Sequence, residues 1–132
     1  MNYQIVFNGD LGDKVKKIDF EKNNLFCKCP FVTVQELLAG KWSILIFHEL
    51  SSGAKRFNEL RKQIGIAHST LSQQLKFMEY EGLVHREVYT TVPPQVEYSL
   101  TEIGKSFQPV LDSIETFGKE YIEYIKRRNL EL

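Results

Sequence analysis

From Pro30 onward the apolar positions fall at helical spacing, and glycines cut that pattern into short pieces. Thr33, Val34, Gln35 and Glu36 match a capping box, in which the hydroxyl serves one orphan amide and the carboxylate another; a first helix is expected to run to about Ala39. Gly40 breaks it. Trp42, Leu45, Ile46, Glu49 and Leu50 then repeat at i, i+3, i+4 and i+7, which predicts a second, mostly buried helix ending near Ser51-Ser52-Gly53. Phe57, Leu60, Arg61 and Ile64 begin a third helix closed by Gly65, and Leu71, Leu75 and Met78 form the core stripe of a fourth that Gly82 terminates.

After Gly82 the period changes. Residues 83–91 and 95–100 are rich in Val, Tyr and Thr, and the Val92-Pro93-Pro94 between them is unfit for a central strand because proline donates no ladder hydrogen bond. A two-stranded hairpin with a stiff tip is expected. Thr101 then caps a long helix whose apolar face repeats through Ile103, Phe107, Val110, Leu111, Ile114, Phe117, Tyr121, Ile122 and Ile125, with a kink or restart at Pro109. Ahead of all this, Tyr3, Ile5 and Phe7 alternate as a short strand does, Gly9, Asp10, Gly12 and Asp13 punctuate a turn, and Val15, Ile18 and Phe20 follow among lysines. Paired and loose readings of this arm stay equally open.

Composition adds limits. A chain of 132 residues with 42% hydrophobic side chains is one globular domain's worth. Its richest apolar run, Trp42 to Phe47, is far shorter than the ~20 residues a bilayer span needs. Asp10, Asp13 and Asp19 interrupt any signal-peptide core, so a cytoplasmic location is expected. Two cysteines, Cys27 and Cys29, give no disulfide framework. Cys-x-Cys supplies two ligands at most, and His48, His68 and His85 lack ligand spacing, so neither a metal nor any other cofactor is expected. No Ser-His-Asp, paired-carboxylate or Gly-rich phosphate arrangement points to an enzyme.

The 17 basic and 17 acidic residues cancel. Their distribution does not: between Lys55 and Lys76 stand Lys55, Arg56, Arg61, Lys62 and Lys76 against Glu59 alone, an excess of four positive charges. At about 100° per residue, the side of the fourth helix opposite its core stripe carries Ser69, Ser72, Gln73, Lys76 and Tyr80, with Thr70 and Gln74 at the margin. Gln suits a bidentate contact with adenine, Ser and Thr serve base edges or phosphates, and Lys supplies phosphate charge. The order of elements is that of a winged helix-turn-helix domain, mainly α with a small β-hairpin.

The ordered motifs Cys29-Pro30, Gly40-Lys41-Trp42, residues 56–60 (RFNEL), residues 71–75 (LSQQL), residues 81–84 (EGLV) and residues 92–101 (VPPQVEYSLT) resemble the HxlR-type winged-helix transcription regulators of bacteria over about residues 27–125. The resemblance implies a homodimeric repressor or activator that binds double-stranded DNA, related in architecture to MarR-type regulators. It divides the chain into an N-terminal arm, residues 1–26, open between flexible and dimer-associated, and a winged helix-turn-helix domain, residues 27–132, that includes a C-terminal dimerisation helix. Expected DNA-binding residues are Lys55, Arg56, Arg61, Lys62, His68, Ser69, Thr70, Ser72, Gln73, Lys76, Arg86 and Gln95. Val110, Ile114, Phe117, Tyr121 and Ile125 are expected at the dimer seam.

Two departures from the family pattern matter. Gln95 stands just after the wing prolines where the family often has a basic residue, with Arg86 at the wing base as compensation. Ala67 replaces the serine that caps the recognition helix, so the cap is expected to move to His68 or Ser69. In some relatives the cysteine before the proline senses oxidants or electrophiles; Cys29 occupies that position, with Cys27 as a second candidate, which implies a small-molecule or oxidant effector. Lys28 and the nearby helix N-terminus each favour a thiolate there. The competing class is a protein-interaction module on a winged-helix scaffold that has given up DNA, consistent with Gln95 and the neutral total.

Overall fold

The computed structural model describes residues 4–7, 18–38 and 40–129. One cluster of buried side chains organises them: Ile46, Phe47 and Leu50, then Leu60 and Ile66, then Leu71, Leu75, Phe77 and Met78, closed by Leu83, Val84, Tyr98, Leu100 and Leu111. Each such aliphatic or aromatic side chain contributes about 1.5–3 kcal/mol by leaving water.

Strands β1 (Gln4–Phe7) and β2 (Ile18–Glu21) pair antiparallel, Gln4 opposite Glu21 and Phe7 opposite Ile18. The turn signals at residues 9–13, with Tyr3 and Val15, lie outside the described residues, as does Ala39. Helices α1 (Pro30–Leu37) and α2 (Ser43–Leu50) follow. Then come β3 (Lys55–Arg56), α3 (Phe57–Ile64), α4 (His68–Tyr80), β4 (Val84–Tyr89), β5 (Gln95–Leu100), α5 (Glu102–Lys105) and α6 (Gln108–Asn129).

Several expectations change. The capping box does not form, because α1 starts earlier, at Pro30, whose fixed φ and missing N–H suit a first helical position. The Thr33 hydroxyl instead accepts from the Cys27 amide and donates to the Cys29 carbonyl, both at 2.8 Å. Glu36, buried, accepts from the Asn23 amide at 2.7 Å. α2 is buried on one face only: Ser43, Ile46, Phe47 and Leu50 point inward, while Ile44 and Leu45 are exposed in the single chain, so Leu45 leaves the stripe assigned to it.

The two-stranded hairpin forms, β4 against β5, but it belongs to a three-stranded sheet. β3 adds to it, giving the order β3-β5-β4 with Lys55 opposite Tyr98 and Arg56 opposite Glu97. The restart expected at Pro109 is present in the helical segment after Thr101. The Thr101 hydroxyl accepts from the Gly104 amide, α5 ends at Lys105, and α6 restarts at Gln108 with Pro109 in its first turn. At the break, the Phe107 ring packs on Phe47 with centroids 4.4 Å apart.

Candidate nucleic-acid interface

The turn between α3 and α4 is set by Gly65, which caps α3 at φ 77° in the left-handed region that a side chain disfavours. Ile66 then drops into the core and fixes the angle at which α4 leaves. The cap of α4 does not move to His68 or Ser69: Ala67 is the N-cap residue and offers no side-chain bond. The start of α4 is held instead by an aromatic contact, with the His68 ring 4.7 Å from that of Phe57. Leu71, Leu75, Phe77 and Met78 bury one side. The opposite side presents Ser69, Gln73, Lys76 and Tyr80, with Thr70 and Ser72 half-buried at its edges.

The height of α4 on the core is fixed from below. Gln74 accepts a hydrogen bond from the Ser43 hydroxyl at 3.2 Å, and a Cβ at Gly40 would collide with the Gln74 amide. Gly40 also holds φ 89°, and this backbone conformation is what favours glycine there, since the flexible end of Gln74 could yield. The last turn is tied to the arm: Lys22 forms an ion pair with Glu81, the C-cap of α4, and lies over the Phe26 ring at 4.0 Å.

The basic residues do not act alike. Arg61 and Lys62 are exposed in the last turn of α3. Lys55 turns back instead, donating to the Glu49 carbonyl at 3.1 Å and the Ser52 hydroxyl at 2.8 Å, where it compensates the carbonyl end of α2. Arg56 reaches across the sheet and donates from Nη2 to the Gln95 side-chain oxygen at 2.8 Å. Arg86 is exposed on β4 opposite Tyr98.

Partnered residues and every second residue share a face of a sheet, so Arg56, Gln95, Glu97, Glu87, Tyr89 and His85 line one side of the wing. Glu87 stands directly opposite Glu97, an unfavourable pairing of like charges. It is relieved by His85, whose Nε2 lies 2.8 Å from Glu87, and by the Tyr89 hydroxyl, which donates to Glu97 at 3.2 Å. The Glu97 carboxylate in turn holds the Tyr89 phenol above its ordinary pKa of 10.0. The Arg56–Gln95 link was not legible in the sequence, since β3 is two residues long and too short to show a period, and the acidic pair depends on the register of β4 against β5.

Cys29 is the half-buried N-cap residue of α1, and Cys27 is exposed in the preceding turn at φ 70°. Among the described residues no group of His, Cys, Asp and Glu is arranged to hold a metal, and no helix is long and apolar enough to cross a membrane. Of the seam residues, Val110, Phe117 and Tyr121 are exposed in the single chain and Ile114 and Ile125 half-buried, while Leu111 alone of α6 faces the core. Phe117 is 65% exposed and Phe31 of α1 84%, large values for aromatic rings.

The model of the HxlR-like helix-turn-helix family matches residues 37–126. The uncharacterised HTH-type transcriptional regulator YdeP of Bacillus subtilis is 40% identical over 121 residues, 91% of this chain and 90% of that protein. Among solved structures, the redox regulator HypR in its reduced form is similar with a TM-score of 0.71 at 37% identity, covering 75% of this chain and 99% of that one. The reduced form of the transcriptional regulator YodB from B. subtilis is similar with a TM-score of 0.63 at 34% identity, covering 70% of this chain and 93% of that one.

Proposed function

Because this chain belongs to the HxlR-like helix-turn-helix family, whose matched relatives are transcriptional regulators rather than enzymes, we propose that it binds a palindromic operator as a homodimer and responds to oxidants through Cys29. The observation that carries the DNA reading is α4: a helix pinned by four buried apolar residues, with Ser69, Gln73 and Lys76 on the opposite side. Each α4 enters a major groove, with half-sites about one helical turn apart or a multiple of it. Ser69, Thr70, Ser72 and Gln73 read base edges, with His68 at the helix start. Arg56, Arg61, Lys62 and Lys76 supply salt-dependent affinity, Arg86 brings the wing to the flanking backbone, and Gln95 contributes through its bond to Arg56.

A mobility-shift titration against the DNA upstream of the chain's own gene tests this; absence of any shift at low salt with folded protein refutes it. Gln73→Ala lowers discrimination at one base pair by about 1–3 kcal/mol, whereas Lys76→Ala weakens all sequences alike. Identical behaviour of the two variants contradicts these roles.

The redox part of the proposal draws support from HypR, solved under the name of a redox regulator, and from YodB, solved also after diamide treatment. Two thiols, one from each protomer, lose their protons and two electrons to diamide and join as a disulfide. Non-reducing electrophoresis after diamide then shows a covalent dimer that Cys29→Ser abolishes. Persistence of that dimer in Cys29→Ser moves the role to Cys27. A second reading, a protein-interaction module without DNA, is favoured by the acidic pair Glu87 and Glu97 on the wing. Salt-independent capture of a protein partner, with no duplex binding, selects it.

A further inference from the structure

Between Val84 and Leu100 the wing carries Arg86 against Glu87 and Glu97, and its tip, residues 90–96, holds no charge at all. A hairpin of that composition has nothing of its own at the tip with which to attract a phosphate. We propose that Gln95 is a positioning residue that holds the Arg56 guanidinium at the wing, so that one phosphate of the DNA backbone seats in the cleft between the wing tip and α3, gripped by Arg56 and Lys62. This rests on the DNA-binding reading given above.

The cleft has a definite origin. β3 stops at Arg56 because the chain turns into α3 at Phe57, which leaves the edge of β5 uncovered at Gln95 and Val96. A space of about 430 Å³ opens there, walled by Pro93 and Pro94 on the wing side and by Asn58 and Lys62 on the α3 side. Prolines suit such a wall, since their fixed φ keeps the tip from folding into the gap.

The electrostatics depend on what Arg56 is bonded to. Two carboxylates lie close, Glu59 in the cleft and Glu97 opposite Arg56 in the sheet. Each is engaged elsewhere: Glu59 accepts from the Arg56 backbone amide at 2.8 Å, and Glu97 accepts from the Tyr89 hydroxyl. The guanidinium instead donates to the neutral amide oxygen of Gln95. A neutral acceptor orients the planar group without cancelling its charge, and it occupies one of five N–H donors. The remaining donors suit the oxygens of a phosphate.

The test is a double-variant cycle on the full chain, read as affinity and salt dependence for the DNA upstream of the chain's own gene, the duplex on which the DNA reading is itself tested. Arg56→Gln and Lys62→Gln are each expected to weaken binding and lower the slope of log affinity against log salt, and the two together to lower it by about 0.9 per protomer, since they share one phosphate. Gln95→Ala removes no charge. It is expected to weaken binding about 3- to 10-fold when Arg56 is present and not at all in the Arg56→Gln background. Gln95 lies on the wing, away from the core, so a melting curve matching the wild type is expected and verifies that each variant is folded. Equal cost of Gln95→Ala in both backgrounds, or no cost in either, overturns the inference. If those results come with the normal effect of Lys76→Ala, only the inference falls; if the wild type fails to bind the duplex at low salt, the DNA reading falls with it.

Discussion

Single side chains here do work that their type alone does not announce. Tyr89 is such a case: its hydroxyl donates to Glu97, which already faces Glu87 across the hairpin. Ionising the phenol would place a third negative charge in that row, which is why its pKa lies above the ordinary 10.0. A raised folded-state value means a stabilising contribution fully present below the unfolded pKa and lost as pH rises through the folded one. Thermal melts above pH 10.0 should therefore show the wild type losing stability faster than Tyr89→Phe, with the two differing least in their pH dependence below it. Parallel curves throughout would mean that the Glu97 contact does not matter to folding. Gln74 gives the converse lesson. Its place at the margin of the exposed side of α4 was legible from helical projection, but its bond to Ser43 and its seat over Gly40 were not, because they depend on tertiary approach.

At the scale of elements, what was legible followed from punctuation. Gly65 and Gly82 end the third and fourth helices, and both take positive φ in the structure. Thr101 caps α5 as its sequence suggests. What was hidden came from competition between neighbours: Pro30 starts α1 ahead of Thr33, and the Leu45 position satisfies the helical period yet faces outward. β3 emerges only because β5 supplies a partner for two residues. The tie between Lys22 and Glu81 belongs here as well, since it joins the arm to the last turn of α4. Side-chain exposures of 20% and 11% leave little water to replace a lost partner. Lys22→Gln should lower stability by about 1–3 kcal/mol and speed amide exchange in the last turn of α4 before the rest of that helix. Unchanged exchange there would show that the arm does not steady α4.

For the whole molecule, a formal charge of zero is compatible with DNA because the positive excess is concentrated between Lys55 and Lys76. Such a chain gains little from nonspecific attraction, so on the proposed reading its affinity rests on two copies acting together. Phe117→Glu or Tyr121→Glu on the exposed side of α6 should convert a dimer to monomers in sedimentation and lower operator affinity about 100-fold or more. A variant that stays dimeric with unaltered affinity would place the seam elsewhere. The two-residue strand β3 also sets where chain length can vary among descendants of this protein. The wing tip at residues 90–94 can gain or lose residues without disturbing a ladder. Between Gly53 and Phe57 a single insertion or deletion would shift β3 by one position against β5, exchanging the faces of Lys55 and Arg56 and turning the wing's guanidinium toward the core side of the sheet.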